Sequence, residues 1–250
     1  MATPESNNTA PVLLITGASA RLGAATARLF HQRGFRVAIH YNRSGEAAQR
    51  LAGEMCQLRA DSATTLGADL SDIPAVEALP NATEGHFGRL DALINNASAF
   101  YPTPWGAIDE QNWQELIDSN LKGPAFLCQA ALPALRNSDG CIINMIDIHA
   151  ERPLASHPVY CMAKAGLAML TQSLAVDSGI RSNGIAPGAI LWPSDQALDA
   201  QQKGKIVDKV PLGRTGDADD IAHCAWYLAN DAPYVNGQII SVDGGRSCVS

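Results

Sequence analysis

The segment VLLITGASARLGAA, residues 12–25, carries the strongest structural signal in this 250-residue chain. Its first four residues are continuously apolar, which predicts a strand buried on both faces, as in a parallel sheet. Gly17 and Gly23 then flank a turn, and a helix-like stretch begins at Leu22. A strand that runs through such a turn into a helix presents backbone N–H groups and the positive helix end to an anion. Arg21 is the unexpected residue, because a bulky cation occupies a turn that favours glycine.

Beyond this segment, short apolar runs alternate with stretches of helical length. The clearest strands are predicted at 12–16, 36–41, 92–95, 141–146 and 238–242. The predicted helices lie at 22–33, 46–59, 110–135, 160–177 and 217–229. Residues 73–87 are predicted to form a broken helix, because Pro80 interrupts them. This alternation predicts one α/β domain with a Rossmann-like, doubly wound parallel sheet.

The domain is expected to span residues 11–250, preceded by a flexible polar tail at 1–10. Residues 188–205 belong to a stretch rich in Pro, Gly, Asp and Gln, which predicts a long loop. Loops of that length in compact domains are often functional. Trp192, inside this loop, is a candidate substrate lid or an exposed loop anchor.

Composition and charge exclude several classes of function. The formal charge of −7 at pH 7 would repel phosphate backbones, so we expect no nucleic-acid partner. The chain has no run of about 18 apolar residues and no secretory core near its first residue, so we expect a soluble cytoplasmic protein with no membrane partner. Six cysteines are scattered without the spacing of metal ligands, which predicts reduced thiols and no metal site.

The segment HYNRS, residues 40–44, follows the second predicted strand and favours NADPH over NADH. NAD-binding folds of this type usually place an acidic residue here. A carboxylate would repel a 2′-phosphate, whereas Arg43 and Ser44 can bind one through charge-assisted hydrogen bonds. The alternative is a solvated Arg43 in an ordinary loop. Asp69-Leu70 and Asn95-Asn96-Ala97 follow the next strand regions, where we expect them to line the same crevice.

Tyr160 and Lys164 are four residues apart in a predicted helix, so their side chains share one face. A nearby ammonium can favour the phenolate and orient the ribose and nicotinamide, while the tyrosine hydroxyl transfers a proton. The spacing alone is weak evidence, because surface helices often contain it. His149 and His157 lack a Ser or Cys partner in a triad-like setting, which favours packing or solvent roles for both.

Taken together, these motifs resemble the short-chain dehydrogenase/reductase superfamily across essentially the whole chain. In chain order they are TGxxxRxG at 16–23, NNA at 95–97, Asn120, YxxxK at 160–164, Pro187-Gly188 and DGG at 243–245. Within the superfamily, four segments are similar to pteridine reductases: Arg21, HYNRS, NNASAFYPTP at 95–104 and the aspartate of NMIDIHA at 144–150. The resemblance implies an enzyme, usually a homotetramer, that uses NADPH to reduce dihydropterins and sometimes oxidised pterins or folates.

The resemblance also implies which residues form the site. The catalytic residues that it implies are Asn120, Asp147, Tyr160 and Lys164. The cofactor-binding residues that it implies are Gly17, Arg21, Leu22, Gly23, Tyr41, Asn42, Arg43, Ser44, Asp69, Leu70, Asn96, Ala97, Ser98, Tyr160, Lys164, Pro187 and Gly188. The pterin-binding residues that it implies are Arg21, Ser98, Phe100, Asp147 and Tyr160.

Three of these residues have a chemical reason to bind a pterin. The Arg21 guanidinium can bridge phosphate oxygens and the carbonyl of a heterocycle. Phe100 is expected to stack on the pterin ring opposite the nicotinamide, with a position in the core as its alternative. Asp147 stands thirteen residues before Tyr160, where most short-chain reductases place a serine that holds a ketone oxygen. An aspartate suits an imine better, because hydride addition at C6 requires a proton at N5. The alternative for Asp147 is a polar residue that ends a strand.

Three functions stay open at this point. The leading hypothesis is an NADPH-dependent pteridine reductase acting on a 7,8-dihydropterin, with the loop at 188–205 closing over the pterin side chain. A generic carbonyl or 3-oxoacyl reductase is the second, and Asp147 and Phe100 argue against it. A noncatalytic NADPH-binding sensor is the third, and it would not need the set of Asn120, Tyr160 and Lys164.

Overall fold

A seven-stranded parallel sheet forms the centre of the computed structural model, which describes residues 9–190 and 199–249. Its strands are Val12–Ile15 (β1), Arg36–Tyr41 (β2), Ala63–Gly67 (β3), Ala92–Asn95 (β4), Cys141–Met145 (β5), Arg181–Pro187 (β6) and Ile239–Val242 (β7). Their order in the sheet is β3-β2-β1-β4-β5-β6-β7, and each neighbouring pair is parallel. The order reverses between β1 and β4, which is where ligands bind in sheets of this type. The predicted Rossmann-like α/β fold is therefore confirmed.

Helices cover both faces of the sheet. They are Arg21–Gln32 (α1), Gly45–Leu58 (α2), Ile73–Phe87 (α3), Glu110–Ile117 (α4), Gly123–Asn137 (α5), Pro158–Asp177 (α6), Ala200–Val207 (α7) and Ala218–Trp226 (α8). Residues of α1, α2 and α8 pack with Leu13 and Ile15 of β1, while residues of α3 and α5 pack with Val12 and Leu14. Successive β1 side chains thus enter two different cores. This double burial explains the continuous apolar runs in the sequence.

Helix α6 carries Tyr160 and Lys164, and it is the one described helix that is long and apolar enough to cross a membrane by length and composition. Seven of its residues are buried within the protein, Tyr160, Lys164 and Thr171 among them. It packs against β5 and β6 of the sheet. Core helices meet the same test of length and composition, so this feature is weak evidence for a membrane span.

The predicted break at Pro80 is wrong, because α3 runs without interruption from Ile73 to Phe87. A proline inside a helix loses one backbone hydrogen bond and crowds the preceding turn. Here the ring of Pro80 is buried beside Leu79, and burial of apolar surface offsets part of that cost. The helix has strong ends, since the Asp72 carboxylate accepts a hydrogen bond from Ala75 N–H and Gly88 closes the helix at φ +82°.

Strand β6 was absent from the clearest predicted strands, because its sequence RSNGIAP is polar and contains glycine and proline. Asn183 is hydrogen bonded inside the protein, where its Nδ2 donates to the carbonyl of Val235 at 2.9 Å, whereas the buried Ser182 hydroxyl has no hydrogen-bond partner among the described residues. Gly184 is required by close packing, since a Cβ there would lie 2.3 Å from Ile146 Cδ1. Burial of hydrogen-bonded polar groups has no simple signature in the sequence pattern.

The predicted loop at 188–205 is corrected at its end, because α7 begins at Ala200. Asp199 and Gln202 form a capping box, in which each side chain accepts a hydrogen bond from the other residue's backbone N–H. The polar composition of this surface helix resembled that of a loop. Trp192 lies outside the described residues, and so do 191–198 as a whole and most of the predicted tail at 1–10.

The single helix predicted at 110–135 is divided in the structure. A π-helical turn at Asp118–Lys122 joins α4 to α5, which continues to Asn137. A second π-helical turn, Tyr227–Asp231, follows α8. Wide turns of this kind occur often at functional positions, and the first of these two contains Asn120.

A chain of buried amides connects the strands that position the site. Asn95 Nδ2 donates to Asn144 Oδ1 at 2.8 Å, and Asn144 Nδ2 donates to the hydroxyl of Thr171 at 2.9 Å. All three residues are buried. The chain therefore holds β4, β5 and α6 together, and α6 carries the tyrosine and the lysine of the site.

We predict that Thr171→Val lowers the free energy of unfolding by about 1–3 kcal/mol, because Asn144 Nδ2 loses its acceptor inside the core. Urea denaturation at fixed protein concentration measures this difference. Thr171→Ser is the matched control, since it keeps the hydroxyl and loses only a methyl group. If the valine variant is as stable as the parent, the amide chain does not hold β5 to α6.

Candidate active site

The turn after β1 is fastened to the turn after β4. Thr16 Oγ1 accepts hydrogen bonds from the backbone N–H groups of Asn96 and Ala97, at 2.9 and 3.0 Å. Asn96 Nδ2 in turn donates to the carbonyls of Thr16 and Gly17, at 2.9 and 3.0 Å. Gly17 has φ +60°, and a Cβ on it would lie 2.8 Å from Ala97 Cα. Glycine is therefore required here by both conformation and space.

Arg21 begins α1 with φ +53°, in the left-handed region that favours glycine. A non-glycine residue in this conformation costs roughly 1–3 kcal/mol, and such strain is concentrated at functional sites. Its side chain is exposed. The first turn of α1 contains no acidic residue, and no described side chain caps it. The positive end of this helix is thus available to an anion.

A cleft of about 420 Å³ opens between the turns after β1, β2 and β4. It is lined by Gly17, Ser19, Ala20, Arg21, Leu22, Gly23, Tyr41, Asn42, Arg43, Ser44, Asn96, Ala97 and Ser98. Two arginines line this cleft, and none of its described lining residues is a carboxylate. A helix N-terminus, two guanidinium groups and a glycine turn with close backbone approach together fit the phosphates of a dinucleotide. The structure thus brings together most of the residues predicted to bind the cofactor.

The other predicted cofactor residues lie around this cleft. Asp69 is exposed beyond β3, where hydrogen bonds from Ser71 lower the pKa of its carboxyl, with further contributions from Asn42 and Arg43. Leu70 is buried in the core on the α3 and α5 face of the sheet. The remaining pair stands at the end of β6, namely Pro187, which is buried, and Gly188, which packs against Asp243.

Tyr160 and Asp147 are directly hydrogen bonded, with the tyrosine hydroxyl donating to Asp147 Oδ2 at 2.8 Å. The other carboxylate oxygen, Oδ1, accepts the backbone N–H of His149 at 2.9 Å. Burial raises the pKa of Tyr160 well above its ordinary value, and the negative charge of Asp147 raises it further. Burial and Asp147 both oppose the phenolate, so the expectation that Lys164 favours it stays a prediction.

Lys164 is almost completely buried at 2 % exposure, and its Nζ donates to the carbonyl of Met145 at 2.8 Å. Nζ lies 5.7 Å from the centre of the Tyr160 ring. Burial lowers the pKa of Lys164 to about 8, and the charge of Asp147 opposes part of this shift. The ammonium thus joins the end of β5 to α6 beside the Tyr160–Asp147 pair.

Asn120 holds the segment that leads to Phe100. Its Nδ2 donates to the carbonyls of Ala99 and Leu116, both at 2.9 Å, and its Oδ1 accepts from the Ser98 hydroxyl at 2.7 Å. The π-helical turn at 118–122 provides the wide backbone in which this amide stands. Asn120 therefore links the 98–100 segment to the helical side of the site.

Phe100 is 44 % exposed, so the alternative of a core position is wrong. Its ring meets Tyr160 edge to face with 4.8 Å between centroids. It also stacks on His157 at 4.7 Å and 12° between planes. His157, for which the sequence favoured packing or solvent contact, thus packs on a predicted substrate residue. His157 is the N-cap residue of α6, three residues before Tyr160, and this closeness in sequence was the available signal.

Among the described residues, no group of three or more His, Cys, Asp or Glu side chains could hold a metal ion. The groups that the described site does contain are a hydroxyl, a carboxylate, an ammonium and an aromatic ring. These groups can move a proton and orient a flat ligand beside the dinucleotide cleft.

Comparison with known proteins places this arrangement in a family. A family model described as enoyl-(acyl carrier protein) reductase matches residues 17–247. Pteridine reductase 1 of Leishmania tarentolae is 34% identical over 96% of this chain and 97% of its own length. The 3-oxoacyl-(acyl-carrier-protein) reductase FabG of Staphylococcus aureus is 35% identical over 93% of this chain and 96% of its own. The 3beta-hydroxysteroid dehydrogenase 1 of Eggerthella lenta is 36% identical over 94% and 93%.

These relatives carry different names at nearly equal identity, so the comparisons define the family and leave the substrate open. The glycine turn, the parallel sheet and the Tyr160–Lys164 pair agree with the family assignment. The chain therefore belongs to the family described as enoyl-(acyl carrier protein) reductase, within the short-chain dehydrogenase/reductase superfamily. It is an oxidoreductase whose relatives use NAD(P)(H) and act on small molecules.

Proposed function

We propose that this protein is an NADPH-dependent pteridine reductase that converts a 7,8-dihydropterin to the tetrahydropterin. The observation that carries the proposal is the hydrogen bond of 2.8 Å between the Tyr160 hydroxyl and Asp147. A ketone oxygen is held well by hydroxyl donors, whereas an imine nitrogen must gain a proton as the neighbouring carbon is reduced. A carboxyl group beside a protonated tyrosine suits the second reaction. Oxidised pterins and dihydrofolate belong to the same substrate class.

NADPH, when bound, supplies the hydride that is added to C6. Asp147, which is a carboxylate in this contact, first takes a proton from solvent through a water relay and then delivers it to N5, while the Tyr160 hydroxyl orients the carboxylate by donating to it. The raised pKa of Tyr160 keeps its hydroxyl protonated for this step. Lys164 places a positive charge beside the pair, which stabilises the carboxylate form of Asp147 between proton transfers. Asn120 keeps the 98–100 segment in place and supports a water relay from the solvent.

The pterin ring is held by stacking in this proposal. Phe100 stacks on His157 and meets Tyr160 edge to face, and it stays 44% exposed. Offset stacking on the exposed part would bring a flat heterocycle within reach of the Tyr160–Asp147 pair. Ser98 is exposed beside Asn120 and can accept a hydrogen bond from the pterin amino group. Arg21 would bridge the phosphates and the pterin carbonyl, which gives a reason for its strained backbone.

The preference for NADPH rests on Arg43 and Ser44. Both are exposed in the cleft, and Ser44 is the N-cap of α2, so the positive end of that helix faces the same place. A 2′-phosphate there would meet a guanidinium, a hydroxyl and a helix terminus. NADH lacks that phosphate and would leave these groups without their ligand.

A generic carbonyl or 3-oxoacyl reductase is the second candidate, because the family model and the staphylococcal relative both carry acyl-carrier-protein names. Asp147 disfavours it, since the place of the serine hydroxyl is occupied by a carboxylate. A noncatalytic NADPH-binding sensor is disfavoured by the buried Lys164 ammonium and the Tyr160 hydrogen bond. Maintaining a buried charge is costly, and a sensor would gain nothing from it.

We also propose that the enzyme is a homotetramer in the cytoplasm. Helices α5 and α6 both pack against the π-helical turn at 118–122 and carry large exposed apolar side chains. These side chains are Phe126, Met162, Met169 and Val176, and the last two are 64% and 85% exposed. Apolar surface of this kind is typical of subunit contacts. All six cysteines are free thiols, in keeping with a reducing compartment.

We predict that Arg43→Ala reduces the ratio of kcat/KM for NADPH to that for NADH by about tenfold, because a hydrogen bond to a charged phosphate contributes roughly 1.5 kcal/mol or more. Initial rates with both cofactors and one dihydropterin measure the ratio. Arg28→Ala is the matched control, since Arg28 is an exposed arginine paired with Glu54 outside the cleft. Equal use of the two cofactors by the parent enzyme would contradict the assignment of Arg43.

The substitution Asp147→Ser tests the reaction class. We predict that it lowers kcat for a 7,8-dihydropterin by roughly 10²–10⁴-fold, which is the usual contribution of a general acid, and leaves NADPH affinity nearly unchanged. Asp147→Asn is expected to lose the same activity, because an amide cannot deliver the proton. A panel of dihydropterins and activated ketones followed by NADPH absorbance provides the measurement. Parent-like dihydropterin turnover by Asp147→Ser would remove the basis for choosing a pterin over a ketone.

A further inference from the structure

His40 is a buried residue beside the glycine turn that the mechanism above does not use. It stands in β2 one residue before the end of the strand, and it is 1% exposed. Its Nδ1 accepts the backbone N–H of Gly17 at 3.2 Å. Its Nε2 lies 3.1 Å from the carbonyl oxygen of Ala68. One imidazole thus joins the ends of three neighbouring strands, β1, β2 and β3.

The two partners fix the protonation state of the ring. The Ala68 carbonyl can only accept a hydrogen bond, so the ring proton is on Nε2. The Gly17 N–H can only donate, so Nδ1 is unprotonated. Burial lowers the pKa of His40, while the bond to Ala68 and the charge of Asp69 oppose the shift in part. A neutral imidazole in a single tautomer satisfies both contacts.

The His40 imidazole is one of several groups that hold the backbone of Gly17 in place. Gly17 donates its N–H to His40 and accepts Asn96 Nδ2 at its carbonyl. The backbone of His40 adds a third contact, since its carbonyl accepts Ala18 N–H at 3.2 Å. Gly17 has φ +60° and, as a glycine, no side chain that could hold this conformation in place. The orientation of the turn therefore depends on groups supplied by β2 and β4.

We propose that His40 is a positioning residue for the cofactor, whose side chain holds the Gly17 turn in the orientation that binds the dinucleotide phosphates. The role deepens the proposed function, and it rests on that function only in requiring a dinucleotide in this cleft. His40 acts on the part of the cleft shared by NADPH and NADH. Arg43, in contrast, acts on the 2′-phosphate alone.

His40→Leu and His40→Asn form the test, because the two side chains have nearly the same shape and only asparagine can accept a hydrogen bond at the position of Nδ1. We expect His40→Leu to raise the dissociation constants of both NADPH and NADH about tenfold, because the buried Gly17 N–H loses its acceptor and the turn loses its orientation. We expect His40→Asn to recover most of that affinity. Fluorescence titration of the parent and both variants with each cofactor, with no pterin present, gives the six constants.

Both variants leave a similar cavity, so a purely structural role would lower their thermal midpoints and cofactor affinities equally. Equal losses in the two variants, or parent-like affinity in His40→Leu, would overturn the proposal. Because these titrations contain no pterin, their failure is distinct from failure of the pteridine reductase assignment. A loss confined to NADPH would also overturn it, because the turn is common to both cofactors.

If His40→Leu does not fold, nitrogen-15 NMR of the unmodified protein provides the second measurement. We expect the His40 ring to carry its proton on Nε2 at neutral pH, with Nδ1 accepting a hydrogen bond. We also expect the Gly17 amide to exchange slowly with solvent. A charged ring, or a proton on Nδ1, would overturn the proposal, because neither state can accept the Gly17 N–H.

Discussion

The rest of the structure depends on the close backbone contact between Gly17, in the turn after β1, and Ala97, in the turn after β4. Gly17 and Ala97 are so near that no side chain can be added at Gly17. Their contact closes the floor of the crevice at the point where the strand order reverses. Helix α1 then begins directly beside it, with its positive end toward the cleft. The proposed position of the dinucleotide rests on this one backbone contact.

The catalytic end depends on a second constraint, which is burial of charge beside β5 and α6. Lys164 and Tyr160 are both buried, and their pKa values move in opposite directions, downward for the ammonium and upward for the phenol. Asp147 contributes to both values. In reduction of a ketone, a tyrosine gives its proton to the ketone oxygen, whereas here the Tyr160 hydroxyl donates its hydrogen bond to the Asp147 carboxylate. This difference in proton chemistry is the physical basis for proposing an imine as substrate.

Much of this arrangement could be predicted from residue types at known spacings. The fold and most residues of the cleft were predictable because their signals are local. These signals are the apolar run before Gly17, HYNRS after β2, and the pair Tyr160 and Lys164. The misses were cases in which distant residues decide the local structure. Pro80 is tolerated inside α3 because its ring is buried. Strand β6 tolerates Asn183 because its side chain is hydrogen bonded to Val235 and Gln238. His157 packs on Phe100, a contact that only the folded segment 98–101 creates.

The central claim is that hydride from NADPH reaches C6 of a dihydropterin at this site. The most direct measurement uses NADPH with deuterium at both C4 positions, supplied to the enzyme with a 7,8-dihydropterin and a 3-oxoacyl thioester in the same mixture. Mass spectrometry and proton NMR then locate the label in the products. The account predicts one deuterium at C6 of the tetrahydropterin and little label in the thioester product. Label in the hydroxyacyl product with none in the pterin would contradict it.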